Sequence, residues 1–91
     1  MPIEFDPAKR DRTFRERGLD MARAEAIFAG ATLTIADDRL AYGEDRFITV
    51  GHFDRRMVVI VWTWRGESRR IISMRKANAR EKALYGPRLG S

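Results

Sequence analysis

Met57-Val-Val-Ile-Val-Trp-Thr-Trp64 decides the fold. This run is apolar at successive positions, and a strand without polar alternation is buried on both faces, at the centre of a sheet. Arg65-Gly66-Glu67-Ser68 then reads as a tight turn, and Arg69-Arg-Ile-Ile-Ser-Met-Arg75 as the antiparallel return strand. That second strand carries Arg69, Arg70, Arg75 and Lys76, so the element that completes the core also presents cations. On a regular strand Arg69, Ile71, Ser73 and Arg75 share one face. The expectation is a sheet with one buried face and one face of fixed guanidinium groups, a surface for a polyanion, with RNA the preferred reading. The bland alternative is a solvated face whose arginines pair with Glu67 or Glu81. The turn alone does not set which residues of 57–64 face them.

Working outward, Ile3-Glu-Phe5 is a short edge strand. Asp6 is an N-cap and Pro7 occupies the first helical position, where its missing N–H costs nothing. The spacing predicts a helix over 7–17 ended by Gly18, with Phe14 its one large apolar residue and hence a surface position. Asp20 caps a second helix whose stripe is Met21, Ala24, Ile27 and Phe28, ended by Gly30. The two helices resemble a helix-turn-helix pair, but Arg23 and Glu25 are too few polar groups to read a DNA groove. Strands follow over Thr32–Ile35 and Phe47–Phe53, separated by a polar loop over Ala36–Asp45 that includes Arg39 and Tyr42 and followed by a turn at Asp54-Arg-Arg56. Asn78-Ala-Arg-Glu81 has capping-box spacing and opens a last helix. Gly86-Pro87 is expected to end it after Tyr85, leaving 86–91 as a mobile tail. Helices segregated from an antiparallel sheet of about four strands plus the N-terminal edge strand make the class α+β, in one domain over 1–91.

The chain has 91 residues, a formal charge of +5 and no cysteine. A basic balance dominated by arginine favours phosphate-bearing partners. Without cysteine there are no disulfides or thiolate metal sites, and a single histidine leaves no zinc set or Cys–His pair. No phosphate-cradling glycine loop occurs. The start does not resemble a signal peptide, and no apolar run approaches the roughly 20 residues that span a bilayer. The expectation is a soluble, cytoplasmic protein with no membrane contact and no cofactor. Asp37-Asp38 and Glu44-Asp45 are acidic pairs read as solvated rather than metal-binding. His52 reads as a packed or surface residue rather than a general base.

For RNA, a basic cluster is chemically sufficient. Attack by a neighbouring 2′-hydroxyl builds negative charge on a phosphorane, and fixed guanidiniums stabilise it without a metal. Glu44, Lys9, His52 and Tyr85 are the titratable groups open as base and acid.

Several ordered pieces carry a family resemblance. They are Asp6-Pro7-Ala8-Lys9, Arg15-x-x-Gly18, Ala24-x-x-x-Phe28, Glu44-x-Arg46-Phe-Ile-x-x-Gly51, Val59-x-Val61-x-Thr63-x-Arg65, Arg70-Ile-Ile-Ser73-x-Arg75-x-Ala77 and Glu81-x-x-x-Tyr85. Together, over about 3–85, the chain resembles the BrnT toxins of type II toxin–antitoxin systems. The resemblance implies a RelE-like α+β fold and a metal-independent ribonuclease that arrests translation. It also implies a ribbon-helix-helix antitoxin, BrnA, that covers the toxin in a hetero-oligomer and alone provides contact with DNA. Carried over by position, Arg65, Arg75, Glu44 and Lys9 become the catalytic candidates, with Arg65 and Arg75 first for phosphate. Arg46, Arg70 and Tyr85 join Arg69 as RNA-binding candidates. The family's Lys-His-Gly at the end of the first helix reads Glu16-Arg17-Gly18 here, and its asparagine reads Thr13. The alternative is a non-catalytic basic module that binds nucleic acid or an antitoxin in operon repression.

Overall fold

The apolar run is the middle strand of five. In the computed structural model, which describes residues 2–38 and 43–90, the strands are β1 (Ile3–Phe5), β2 (Leu33–Asp37), β3 (Arg46–Phe53), β4 (Arg56–Arg65) and β5 (Ser68–Lys76). They lie in the order β1-β5-β4-β3-β2. Every neighbouring pair is antiparallel except β1 with β5, so the sheet is mixed. The helices are α1 (Pro7–Arg17), a 3-10 turn (Met21–Arg23) running into α2 (Ala24–Ala29), and α3 (Ala79–Leu89). Of the polar loop expected over Ala36–Asp45, Ala36 and Asp37 belong to β2, and residues 39–42, with Arg39 and Tyr42, lie outside the described residues.

The caps form as their chemistry requires. The Asp6 carboxylate accepts from Ala8 N at 2.9 Å, and Gly18 ends α1 in the left-handed region at φ 69°. Asp20 accepts from Ala22 N while also holding Arg10 through two hydrogen bonds at 2.8 and 3.1 Å, tying α1 to the following turn. That arginine holds the Asp20 carboxyl below the usual range. α1 buries no residue, and Phe14 is 59% exposed.

Even-numbered β4 residues face α2. Val58, Ile60 and Trp62 pack with Leu19, Met21, Ala24, Ile27, Ile71 and Met74 in the main core. Trp62 stacks on Phe47 with ring centroids 4.8 Å apart and meets Phe28 edge-on at 5.7 Å. Its indole N–H donates to Thr49 Oγ1 at 2.7 Å, which leaves the buried polar group satisfied. Odd-numbered β4 residues face α3, where Met57, Val59, Val50 and Ala77 form a smaller cluster flanked by Ile48, Tyr85 and Leu89.

Three expectations are corrected. Ile71 pairs with Trp62 but Ser73 with Val61, so Ile72 is an extra residue and β5 carries a bulge. The bulge separates Arg69 from Ser73 and Arg75, which therefore do not share a face. Second, α3 does not stop at Tyr85. Gly86 and Pro87 lie inside it, and Gly90 caps it at φ 77°. Packing overrides the proline here: Gly86 is buried, and Leu89 closes the smaller cluster. Third, the β3–β4 connection is a two-residue turn in which Asp54 and Arg55 both take positive φ, 52° and 65°. Arg56 belongs to β4.

The outer edge of β5 is also accounted for. β1 pairs only with residues 69–71, so the strand beyond has a bare edge. Side chains from α1 occupy it: Arg17 donates to Met74 O at 2.9 Å and Lys9 Nζ lies 3.5 Å from Ile72 O. Covering exposed carbonyls with cationic side chains blunts an edge that could otherwise recruit another strand.

Candidate functional site

Cross-strand partners in a sheet point to the same side. The register therefore sorts the arginines. Arg46 pairs with Thr63 and Thr63 with Arg70, with Asp37 and Glu4 at the two ends, so one row crosses all five strands on the α3 face. Arg65 opposes Ser68 at the turn end of this face, and Arg75 opposes Val59 on the same face, six β4 residues away. α3 rests on the Val50–Val59 end of this face. The result is an arginine-bearing sheet surface that one helix covers only in part.

Each arginine differs in how firmly it is held. Arg75 meets Glu81 through both terminal nitrogens, at 2.7 and 2.8 Å. Glu81 is committed twice, because it also closes the α3 capping box with Asn78. The Arg75 guanidinium is the main reason its carboxyl falls to about 2. Arg70 reaches Glu4 at 3.3 Å, and Arg46 reaches Glu44 at 3.2 Å. The Arg70–Glu4 pair is partly exposed and single-contact, the kind worth about 0–1 kcal/mol. An incoming phosphate can displace such a carboxylate at little cost. Among the described residues Arg65 has no ion-pair partner, and it is exposed at the β4–β5 turn.

The structure thus brings Arg46, Arg65, Arg70 and Arg75 to one face, with Glu44 beside Arg46. Tyr85 is on that face too, half-buried in the small apolar cluster. Arg69 is not there. It lies on the opposite face, its guanidinium 4.2 Å from the Phe28 ring centroid and 5.1 Å from that of Trp62. Its Nε is buried without a hydrogen-bond partner among the described residues, so the aromatic faces supply its main stabilisation. Lys9 is separate again. With Thr13, Glu16, Arg17 and Ser73 it lines a depression of about 300 Å³ at the bulged β5 edge. The residues that depart from the family pattern therefore gather at this edge.

Sequence reasoning offered Glu81 as an arginine partner, which Arg75 takes, but missed Glu4 as the partner of Arg70. Glu4 and Arg70 are 66 positions apart, and only the parallel β1–β5 pairing joins them. The bulge did leave a signal: Ile71 and Met74 are both core residues, and an odd spacing of three can share a strand face only through an inserted residue.

Among the described residues no helix is long and apolar enough to cross a membrane. A search of curated proteins finds no match. The family model for the ribonuclease toxin BrnT of type II toxin–antitoxin systems matches residues 5–81. That span runs from β1 into α3 and contains every arginine described above. The chain belongs to the BrnT family of ribonuclease toxins.

Proposed function

We propose that this chain is a metal-independent endoribonuclease that inhibits translation, with the arginine face as its phosphate site and a RelE-like arrangement as its scaffold. The observation that carries the reading is Arg65, exposed and without an ion-pair partner among the described residues, on the same sheet face as Arg46 and Arg70.

The scissile phosphate docks on Arg65, and Arg70, on the same face as Arg46, exchanges Glu4 for a phosphate oxygen. Attack by the adjacent 2′-oxygen develops negative charge beside the guanidiniums, each such contact being worth about 2.7–4 kcal/mol. As the 2′-oxygen–phosphorus bond forms, the P–O5′ bond breaks and the departing 5′-oxygen takes a proton from water, leaving a 2′,3′-cyclic phosphate. Glu44, beside Arg46 at this face, takes the 2′-hydroxyl proton. Arg75 plays a positioning role, because its fork is occupied by Glu81 and fixes the start of α3. Lys9 acts at the β5 edge rather than on the phosphate. Arg69 and Tyr85 contribute packing on their respective faces.

The same exposed face suits neutralisation by a BrnA-like ribbon-helix-helix antitoxin in a cytoplasmic hetero-oligomer, with DNA contacted through the antitoxin. A test is direct. Purified chain incubated with RNA in EDTA should yield fragments ending in 2′,3′-cyclic or 3′-phosphate. RNA left intact, or cleaved only when divalent metal is restored, would count against the proposal. Two observations favour a non-catalytic alternative: Arg75 is locked to Glu81, and the α1 terminus reads Glu16-Arg17. That module would bind RNA with a steep salt dependence and shift operator DNA only together with its partner, while leaving RNA whole.

A further inference from the structure

A second cationic site lies at the other end of the sheet. Between α3 and the β3–β4 hairpin there is a groove of about 600 Å³ walled by His52, Arg55, Arg56, Lys76 and Lys82. Its remaining lining comes from small or buried residues, among them Met57 and Gly86, and none of the lining is acidic. Arg55, Arg56, Lys76 and Lys82 are exposed, and none of them is in an ion pair among the described residues. The contrast with the arginine face is sharp, since Arg46, Arg70 and Arg75 each meet a carboxylate there.

We infer that this groove binds the phosphodiester backbone of a single-stranded RNA away from the scissile bond. The inference rests on the ribonuclease reading and extends it to how substrate is held. A volume of this size accommodates a ligand larger than a single ion. Protein partners are anchored by aromatic or aliphatic side chains in pockets, and here the one large apolar residue of the lining, Met57, is itself already buried. A phosphate chain needs only fixed positive charge. The wall is also rigid at one place. The Arg75–Glu81 fork clamps β5 to the first turn of α3, and the residues that follow each partner, Lys76 and Lys82, are thereby held facing one cavity. From Arg56 to Arg65 the β4 rise is about 30 Å, so a strand engaging both sites must run several nucleotides along the protein.

The test uses the full chain and a short, labelled, single-stranded 2′-O-methyl oligonucleotide, which cannot be cut, in anisotropy titrations across salt concentrations. The variant Lys76→Ala/Lys82→Ala should bind on the order of tenfold more weakly at low salt, with a log–log salt slope shallower by about 1.4. Lys82→Glu should weaken binding more than Lys82→Ala. Both lysines are exposed, so thermal melting should show folded variants. Folded variants with unchanged affinity and slope would overturn the inference. So would variants that bind the oligonucleotide normally but lose affinity for an acidic peptide. A chain that binds through the groove yet leaves ordinary RNA whole would support the groove and refute the nuclease. A chain that cuts RNA while the lysine variants bind normally would refute the groove alone.

Discussion

Glu81 shows how much one side chain can hold. It closes the α3 capping box and grips Arg75 from both oxygens, and its carboxyl is lowered from 4.5 to about 2. A lowered folded-state value means the stability is present above the unfolded value and is lost as pH falls through the folded one. Chemical denaturation should therefore show a loss of about 1–2 kcal/mol between pH about 4.5 and about 2, after discounting for the half-exposed arginine. Glu81→Gln keeps a capping side chain at the same position but removes the charge, so it should abolish most of that pH dependence. At Arg55 the expectation reverses. Its φ of 65° is costly for a side chain and free for glycine, so Arg55→Gly should stabilise the fold by about 0.5–1 kcal/mol in denaturant titrations.

The central strand, the helix caps and the capping box were legible because each is set by local chemistry: unbroken apolarity, an Asp before a helix, Asn78 three residues before Glu81. What was not legible depends on residues far apart. Nothing in Asp54-Arg55 announces a turn with two positive φ values, because the usual Asn-Gly or Asp-Gly signal is missing. The extent of α3 was hidden for a similar reason, since Pro87 argues for a stop and only Leu89 packing on the sheet argues for continuation. Pro87→Ala should then stabilise α3 by on the order of 1 kcal/mol by restoring a helical N–H, visible as a raised melting temperature. Between elements the tightest approach is at Gly51. A Cβ there would lie 2.8 Å from Ile27 Cγ2 and 3.0 Å from Thr32 Cγ2, and Ile27 is buried in the main core. Gly51→Ala should cost about 1–3 kcal/mol in equilibrium unfolding, because β3 or α2 must shift.

At the scale of the molecule, one sheet separates two jobs. Its α2 face buries the core around Trp62 and holds Arg69 among aromatic rings. Its other face carries Arg46, Arg70 and Arg75, each partly exposed, and Arg65, which is exposed. That the strands bear arginine could be read directly; that the bulge at Ile72 sends Arg69 one way and Arg75 the other could not. The distinction assigns different consequences to similar residues. Loss of Arg65 should leave stability within about 0.5 kcal/mol of wild type, as for other exposed substitutions. The most direct test is the single-turnover rate of RNA cleavage in EDTA for wild type and Arg65→Ala, measured beside their unfolding free energies. The expected result is a fall of about 10²–10³ in rate at nearly constant stability. A variant that cleaves as fast as wild type, or one whose activity and stability fall together, would contradict it.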